Sequence, residues 1–115
     1  MINRHIRTKI MHRIVEHSGT IYFGGVTADD SSLDMKGQTK QICKKIDDLL
    51  ANAGSSKEKL LTAMIFISDF SQKERMNEAW LEWLSGDLLP TRATIGVADL
   101  GKDCLVEVIV SAALS

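Results

Sequence analysis

Two short runs of almost uninterrupted apolar residues constrain the fold of this 115-residue chain more than any other feature. The first run spans residues 60–68 (LLTAMIFIS) and the second spans residues 105–113 (LVEVIVSAA). Both are too short for ordinary helices, and continuous apolar runs of this length are typical of strands covered on both faces. The sequence therefore predicts a sheet that contains both runs.

Two other segments have the apolar periodicity of helices that would pack on such a sheet. Residues 33–53 carry apolar side chains at helical spacing and are followed by Gly54, which suits the left-handed conformation that often ends a helix. Residues 72–85 overlap a capping-box pattern, SQKE at 71–74, and a glycine follows them. Both segments are therefore predicted to be helices.

Weaker strand patterns occupy residues 11–17, 19–25 and 91–97, with a turn at Ser18-Gly19 between the first two. The predicted element order is ββαβαββ, an α+β domain with one mixed sheet and both helices packed on one face. Because two helices cover only one face of a sheet whose strands are apolar on both, we also expect an oligomer that buries the other face.

This single domain is expected to span residues 1–115, and its composition argues against several classes of function. The formal net charge of -1 gives no general attraction to nucleic acid or anionic membranes, although basic residues and histidines are concentrated in residues 1–13. No apolar run approaches the ~20 residues of a membrane-spanning helix. The cysteines and histidines lack metal-site or disulfide spacing, and Gly24-Gly25 lacks the spacing of a phosphate-binding loop. We expect a cytoplasmic protein without metal or membrane anchor.

Two charged residues interrupt the apolar strands near the end of the chain, Arg92 and Glu107. An unpaired buried charge is costly, so each needs a partner. If residues 99–101 formed the tip of a simple hairpin, Arg92 would lie opposite Glu107 and the two would form a salt bridge. Alternatively, the guanidinium binds a small anion while the carboxylate handles a proton or a water molecule. The residues alone leave both interpretations open.

Several segments distributed along nearly the whole chain match one known family: QTKQ at 38–41, AGSS at 53–56, TAMIFISDF at 62–70, MNE at 76–78, PTRA at 90–93 and LVEV at 105–108. Together they resemble the Rid (reactive intermediate deaminase) family, also called YjgF or L-PSP endoribonucleases. The resemblance implies a chorismate-mutase-like fold and trimers with active clefts between subunits. In that fold the strand after the first helix separates the last two strands, so the simple hairpin would not form.

The resemblance also implies an activity and assigns residues to it. Family members of the deaminase type hydrolyse enamines and imines, such as 2-aminoacrylate and its 2-imino tautomer, to a 2-keto acid and ammonia without any cofactor. Arg92 matches the arginine that holds the substrate carboxylate, assisted by the backbone N–H near Thr94. Glu107 matches the acid that positions or activates water against the imine carbon, and Asn77 matches another residue of the cleft.

Two positions of the implied cleft depart from the family pattern. Met11 stands where deaminase relatives carry a tyrosine, and Gly24 stands where they carry a serine. Two hypotheses follow: a homotrimeric hydrolase resembling 2-iminobutanoate/2-iminopropanoate deaminase, or a non-catalytic trimer that binds small carboxylates or regulates a partner. An RNA-binding role would use the basic N-terminus, but no aromatic RNA-stacking motif accompanies it and nucleic acid is not expected as a partner.

Overall fold

A computed structural model describes residues 1–115 as a six-stranded sheet with two α-helices. The strand order in the sheet is β1-β2-β3-β6-β4-β5, and β4 and β5 form its parallel pair. The predicted α+β fold, a mixed sheet with both helices on one face, is confirmed. The elements are β1 Ile2–Arg7, β2 His12–His17, β3 Thr20–Phe23, α1 Met35–Asn52, β4 Leu60–Ile67, α2 Lys73–Trp83, β5 Thr91–Gly96 and β6 Val106–Ala113.

Strand β1 is the element that the sequence did not predict. All six of its residues are exposed, and it pairs in antiparallel fashion with β2, with Ile2 opposite His17. An edge strand exposed on both faces needs no core-facing pattern, so the periodicity that reveals other strands is absent here. The basic N-terminal residues therefore lie on the outer strand of the sheet.

The turn between β2 and β3 is the one predicted at Ser18 and Gly19. Their φ angles are 53° and 79°, and positive values at both central residues define the tight hairpin turn that matches strand twist. This turn sets the register in which Ile14 lies opposite Phe23. Both side chains are buried against the helices.

A simple hairpin between β5 and β6 is wrong, because β4 lies between them. Along β4, Ala63 is in register with Arg92 of β5, and Phe66 is in register with Glu107 of β6. The strand order implied by the family resemblance is therefore the observed one. The residues alone left the hairpin open, because a turn at the end of a strand does not reveal which strand fills the neighbouring position.

The core lies between the sheet and the two helices, where 20 buried apolar residues form one cluster. The buried Gln38 of α1 connects this layer to the segment that precedes β6. Its side-chain amide donates to Asp103 O at 2.9 Å and its side-chain oxygen accepts from Leu105 N at 2.9 Å. Because Gln38 satisfies both backbone groups, it holds the start of β6 against α1.

The opposite face of the sheet has no helix over it. Tyr22, Met64 and Ile109 point to this open face, with exposed fractions of 52%, 42% and 37%. Large apolar side chains in contiguous positions on one sheet face are a common feature of surfaces that bind another protein chain. Neither helix is long and apolar enough to cross a bilayer.

Candidate active site

The structure divides the six residues predicted for the site into two groups. The arginine group (Arg92, Thr94 and Asn77) lies where β5 meets α2. The glutamate group (Glu107, Gly24 and Met11) lies around the starts of β6 and β2 and the end of β3. Each group is described by its own contacts below.

Arg92 lies in a cleft of about 310 Å³ whose other lining residues are Glu74, Asn77, Trp80, Leu81, Leu89 and Pro90. Its guanidinium carbon is 5.9 Å from the centre of the Trp80 ring, within the range of a cation–π contact. Arg92 belongs to none of the ion pairs of the chain. The predicted salt bridge with Glu107 is therefore absent, and the guanidinium N–H groups remain available to an anion.

Two opposing effects act on the charge of Arg92. Partial burial lowers the pKa of its guanidinium, and the nearby Glu74 carboxylate raises that pKa. An arginine side chain keeps its proton at neutral pH in either case. The Glu74 carboxylate accepts a hydrogen bond from Asn77 Nδ2 at 3.2 Å. The cleft thus contains the permanent positive charge of Arg92 and the Glu74 carboxylate, which is hydrogen-bonded to the Asn77 side-chain amide.

Two buried side-chain polar atoms of the chain lack a hydrogen-bond partner, and both belong to the arginine group: Asn77 Oδ1 and Thr94 Oγ1. Thr94 is in register with the buried Ile65, so its side chain is on the helix-facing side of the sheet, as is that of Arg92. Each unpaired buried polar atom costs about 1–3 kcal/mol. The arginine group therefore has unused hydrogen-bonding capacity in addition to its free cation.

In the glutamate group, Glu107 shares the open face of the sheet with Phe66, its partner in register. A Cβ atom on Gly25 would overlap Glu107 Oε2 and would lie 3.0 Å from Cδ. Glycine at this position therefore makes room for the carboxylate. Sequence reasoning missed Gly25, because the glycine pair 24–25 was tested only against the phosphate-binding pattern and its contact with residue 107 is long-range.

Met11 and Gly24 form the other part of the glutamate group. A Cβ atom on Gly24 would lie 3.1 Å from Met11 Sδ and 3.2 Å from Met11 Cε. A serine at position 24 would have to displace the thioether, so the two departures from the family pattern are spatially coupled. The thioether contributes no strong hydrogen-bonding group, and this side of the glutamate group is apolar.

The two groups are far apart within one chain. Arg92 and Glu107 lie two strands apart, which separates them by about 10 Å across the sheet. Their partners in register on β4 are three positions apart, which adds a separation of about 10 Å along the strands. The odd spacing along β4 also places their side chains on opposite faces of the sheet. A small acid cannot contact both residues in one chain. A site that uses both requires two copies of the chain.

Comparisons with known proteins agree with this architecture. The sequence model of the Endoribonuclease L-PSP family matches residues 5–114. A RutC family protein from Haemophilus ducreyi is 30% identical over 115 residues, covering 100% of this chain and 98% of the relative. The crystal structure of a protein from Pseudomonas aeruginosa has a TM-score of 0.95 at 33% identity, with 100% of both chains covered. That of a YjgF family member from Neisseria meningitidis has a TM-score of 0.94 at 25% identity, covering 100% of this chain and 96% of that one. The chain therefore belongs to the Endoribonuclease L-PSP family, whose members also carry the names YjgF, RutC and Rid.

Proposed function

We propose that this protein hydrolyses 2-aminoacrylate and related 2-imino acids to 2-keto acids and ammonia, in clefts between the chains of a homotrimer. The observation that carries the proposal is the free guanidinium of Arg92 in a 310 Å³ cleft. Arginine binds a carboxylate through two parallel hydrogen bonds, which fixes the orientation of a small planar acid. The proposed substrate carboxylate occupies this position.

The chemistry requires little beyond orientation and a base. In the proposed reaction Glu107 takes a proton from water as the water oxygen bonds to the electron-poor imine carbon. The protonated Glu107 returns this proton to the substrate nitrogen, the C–N bond breaks with its electron pair leaving on ammonia, and the hydroxyl group loses its proton to Glu107 as the C=O bond forms. 2-Aminoacrylate enters this sequence as its 2-imino tautomer, which forms when a proton moves from the nitrogen to C3. The Glu107 carboxylate suits this role because it belongs to none of the chain's ion pairs. Neither a redox step nor a cofactor enters this scheme.

Two features of the chain support association of several copies, for which we propose the trimer. Tyr22, Met64 and Ile109 leave an apolar face uncovered, and a second chain would bury it. In addition, the arginine and glutamate groups cannot act on one small substrate within a chain, because the pairing with β4 places Arg92 and Glu107 far apart and on opposite faces of the sheet. Packing of neighbouring chains would bring the arginine group of one copy to the glutamate group of the next. The cytoplasmic location stays a prediction.

A coupled assay tests this proposal. A pyridoxal-phosphate lyase generates 2-aminoacrylate from serine, and pyruvate or ammonia is followed with and without the protein. The wild-type protein is expected to accelerate release of both products, and Arg92→Ala is expected to abolish the acceleration. The matched control is Arg75→Ala, since Arg75 belongs to α2, the helix that also lines the Arg92 cleft, but forms ion pairs with Asp34 and Glu78. Loss of activity in both variants, or in neither, contradicts the proposed role of Arg92.

The second candidate function is a non-catalytic trimer that binds small carboxylates or regulates a partner enzyme. It is favoured by the Met11–Gly24 contact, because this side of the glutamate group lacks the phenol and hydroxyl groups that the family resemblance implies. The same assay distinguishes the two functions. Arg92-dependent binding of a 2-keto acid without acceleration of imine hydrolysis supports the binding protein and contradicts the hydrolase.

A further inference from the structure

The cleft beside Arg92 combines charged and polar residues with large apolar side chains. Its lining includes the large apolar side chains Trp80, Leu81 and Leu89. Leu81 and Leu89, which line the same cleft as the guanidinium, are 59% and 43% exposed. We infer that the cleft selects monocarboxylic 2-imino acids with large apolar side chains. This inference deepens the proposed function and rests on it.

The volume of the cleft supports this choice of substrate. At about 310 Å³ it would hold about ten water molecules at ~30 Å³ each. Within one chain, a three-carbon substrate such as 2-aminoacrylate would fill only part of this space. A branched or aromatic side chain would displace that water from the surfaces of Leu81 and Leu89, and the burial of apolar surface favours binding.

The position of Arg92 supports an anion with an apolar body. The guanidinium lies 5.9 Å from the Trp80 ring, so the binding site for the carboxylate adjoins an aromatic surface. A ligand anchored by its carboxylate would therefore extend along apolar side chains. Pockets that bind small molecules commonly combine such a surface with a few polar groups that fix orientation.

Charge in the cleft limits the ligand to one carboxylate. Glu74 also lines the cleft, and its carboxylate is held by Asn77 Nδ2 and forms no ion pair with Arg92. A second carboxylate on the ligand would meet this negative charge after the first had bound the guanidinium. Imino acids derived from aspartate or glutamate are therefore excluded, whereas those derived from leucine, methionine or phenylalanine fit.

The inference is tested with stable carboxylates, so that the result does not depend on catalysis. Propanoate, 4-methylpentanoate and glutarate are titrated into the wild-type protein while tryptophan fluorescence is recorded, because Trp80 lines the cleft. Affinity is expected to rise at least about tenfold from propanoate to 4-methylpentanoate, since each buried CH₂ group contributes about a factor of four. Glutarate is expected to bind more weakly than 4-methylpentanoate.

Two variants and one control locate the effect. Leu81→Ser is expected to reduce binding of 4-methylpentanoate and to leave binding of propanoate unchanged. Ile10→Ser is the matched control, because Ile10 is 91% exposed and lies outside the cleft. Glu74→Gln is expected to strengthen binding of glutarate, because the amide removes the negative charge and still accepts a hydrogen bond.

The possible failures are separable. Equal affinity for all chain lengths, or a Leu81→Ser variant that matches the wild type, overturns the inference even if Arg92-dependent imine hydrolysis is observed. Chain-length selection that is lost in Leu81→Ser supports the inference about the cleft even if no imine is hydrolysed, in which case the proposed function alone fails.

Discussion

Gly25→Ala would move the Glu107 carboxylate without changing its chemistry. The added Cβ would overlap Oε2 and would lie 3.0 Å from Cδ and 3.3 Å from Cγ, so the side chain has to leave its present conformation. A side chain forced off its preferred rotamer costs about 0.5–1.5 kcal/mol. A displacement of a reacting group by about 1 Å can cost about 10²-fold in rate. We therefore expect kcat/KM to fall at least about 10²-fold while the free energy of unfolding falls by no more than about 1.5 kcal/mol.

The assay is the coupled release of pyruvate described above, accompanied by urea unfolding and by titration with a 2-keto acid. Binding of the keto acid should persist, because Arg92 lies in the other group of residues. Gly86→Ala is the control, since a Cβ at Gly86 meets nothing within 4 Å. A Gly25→Ala protein with wild-type kcat/KM and a displaced Glu107 would refute the idea that this carboxylate positions water. If the variant does not fold, Glu107→Gln keeps the shape of the side chain and tests the same step.

Three further predictions concern stability. Ser18→Asn should raise the melting temperature by about 2–4 °C, because residue 18 has a φ of 53° and asparagine tolerates that conformation better than serine. Gln38→Ala should lower the free energy of unfolding by about 2–3 kcal/mol in urea titrations, because Leu105 N–H and three backbone carbonyls lose their partner. Burial raises the pKa of the Cys43 thiol from 9.0 to about 12, so between these pH values the folded chain retains a proton that the unfolded chain loses. The free energy of unfolding should therefore decline between about pH 9 and 12, and it should decline less steeply in Cys43→Ala.

Much of the fold could be predicted because burial leaves a pattern in the sequence. The apolar run that contains β4 and the periodic segment that contains α1 were located to within about two residues, as is usual for element ends. Strand β1 could not be found in this way, since all its residues are exposed and leave no apolar periodicity. The order of β4, β5 and β6 came from the family resemblance, because local sequence does not determine which strands become neighbours.

The candidate site was predictable in its residue types and not in its geometry. Arg92 and Glu107 could be selected as charges inside apolar strands, but the register on β4 that places them on opposite faces is a long-range property. The same holds for Gly25, whose importance depends on its distance to Glu107. The Met11–Gly24 contact could not be predicted either, although each residue alone had been identified as a departure from the family pattern.

The most direct test is a crystal structure of the protein with bound 2-oxobutanoate, a stable 2-keto acid product. The proposal predicts a closed trimer in which Arg92 of one chain binds the ligand carboxylate through two hydrogen bonds, and Glu107 of a neighbouring chain lies within hydrogen-bond reach of a water molecule near the keto carbon. A ligand bound elsewhere, or an Arg92 side chain paired with a carboxylate of its own chain, would contradict it.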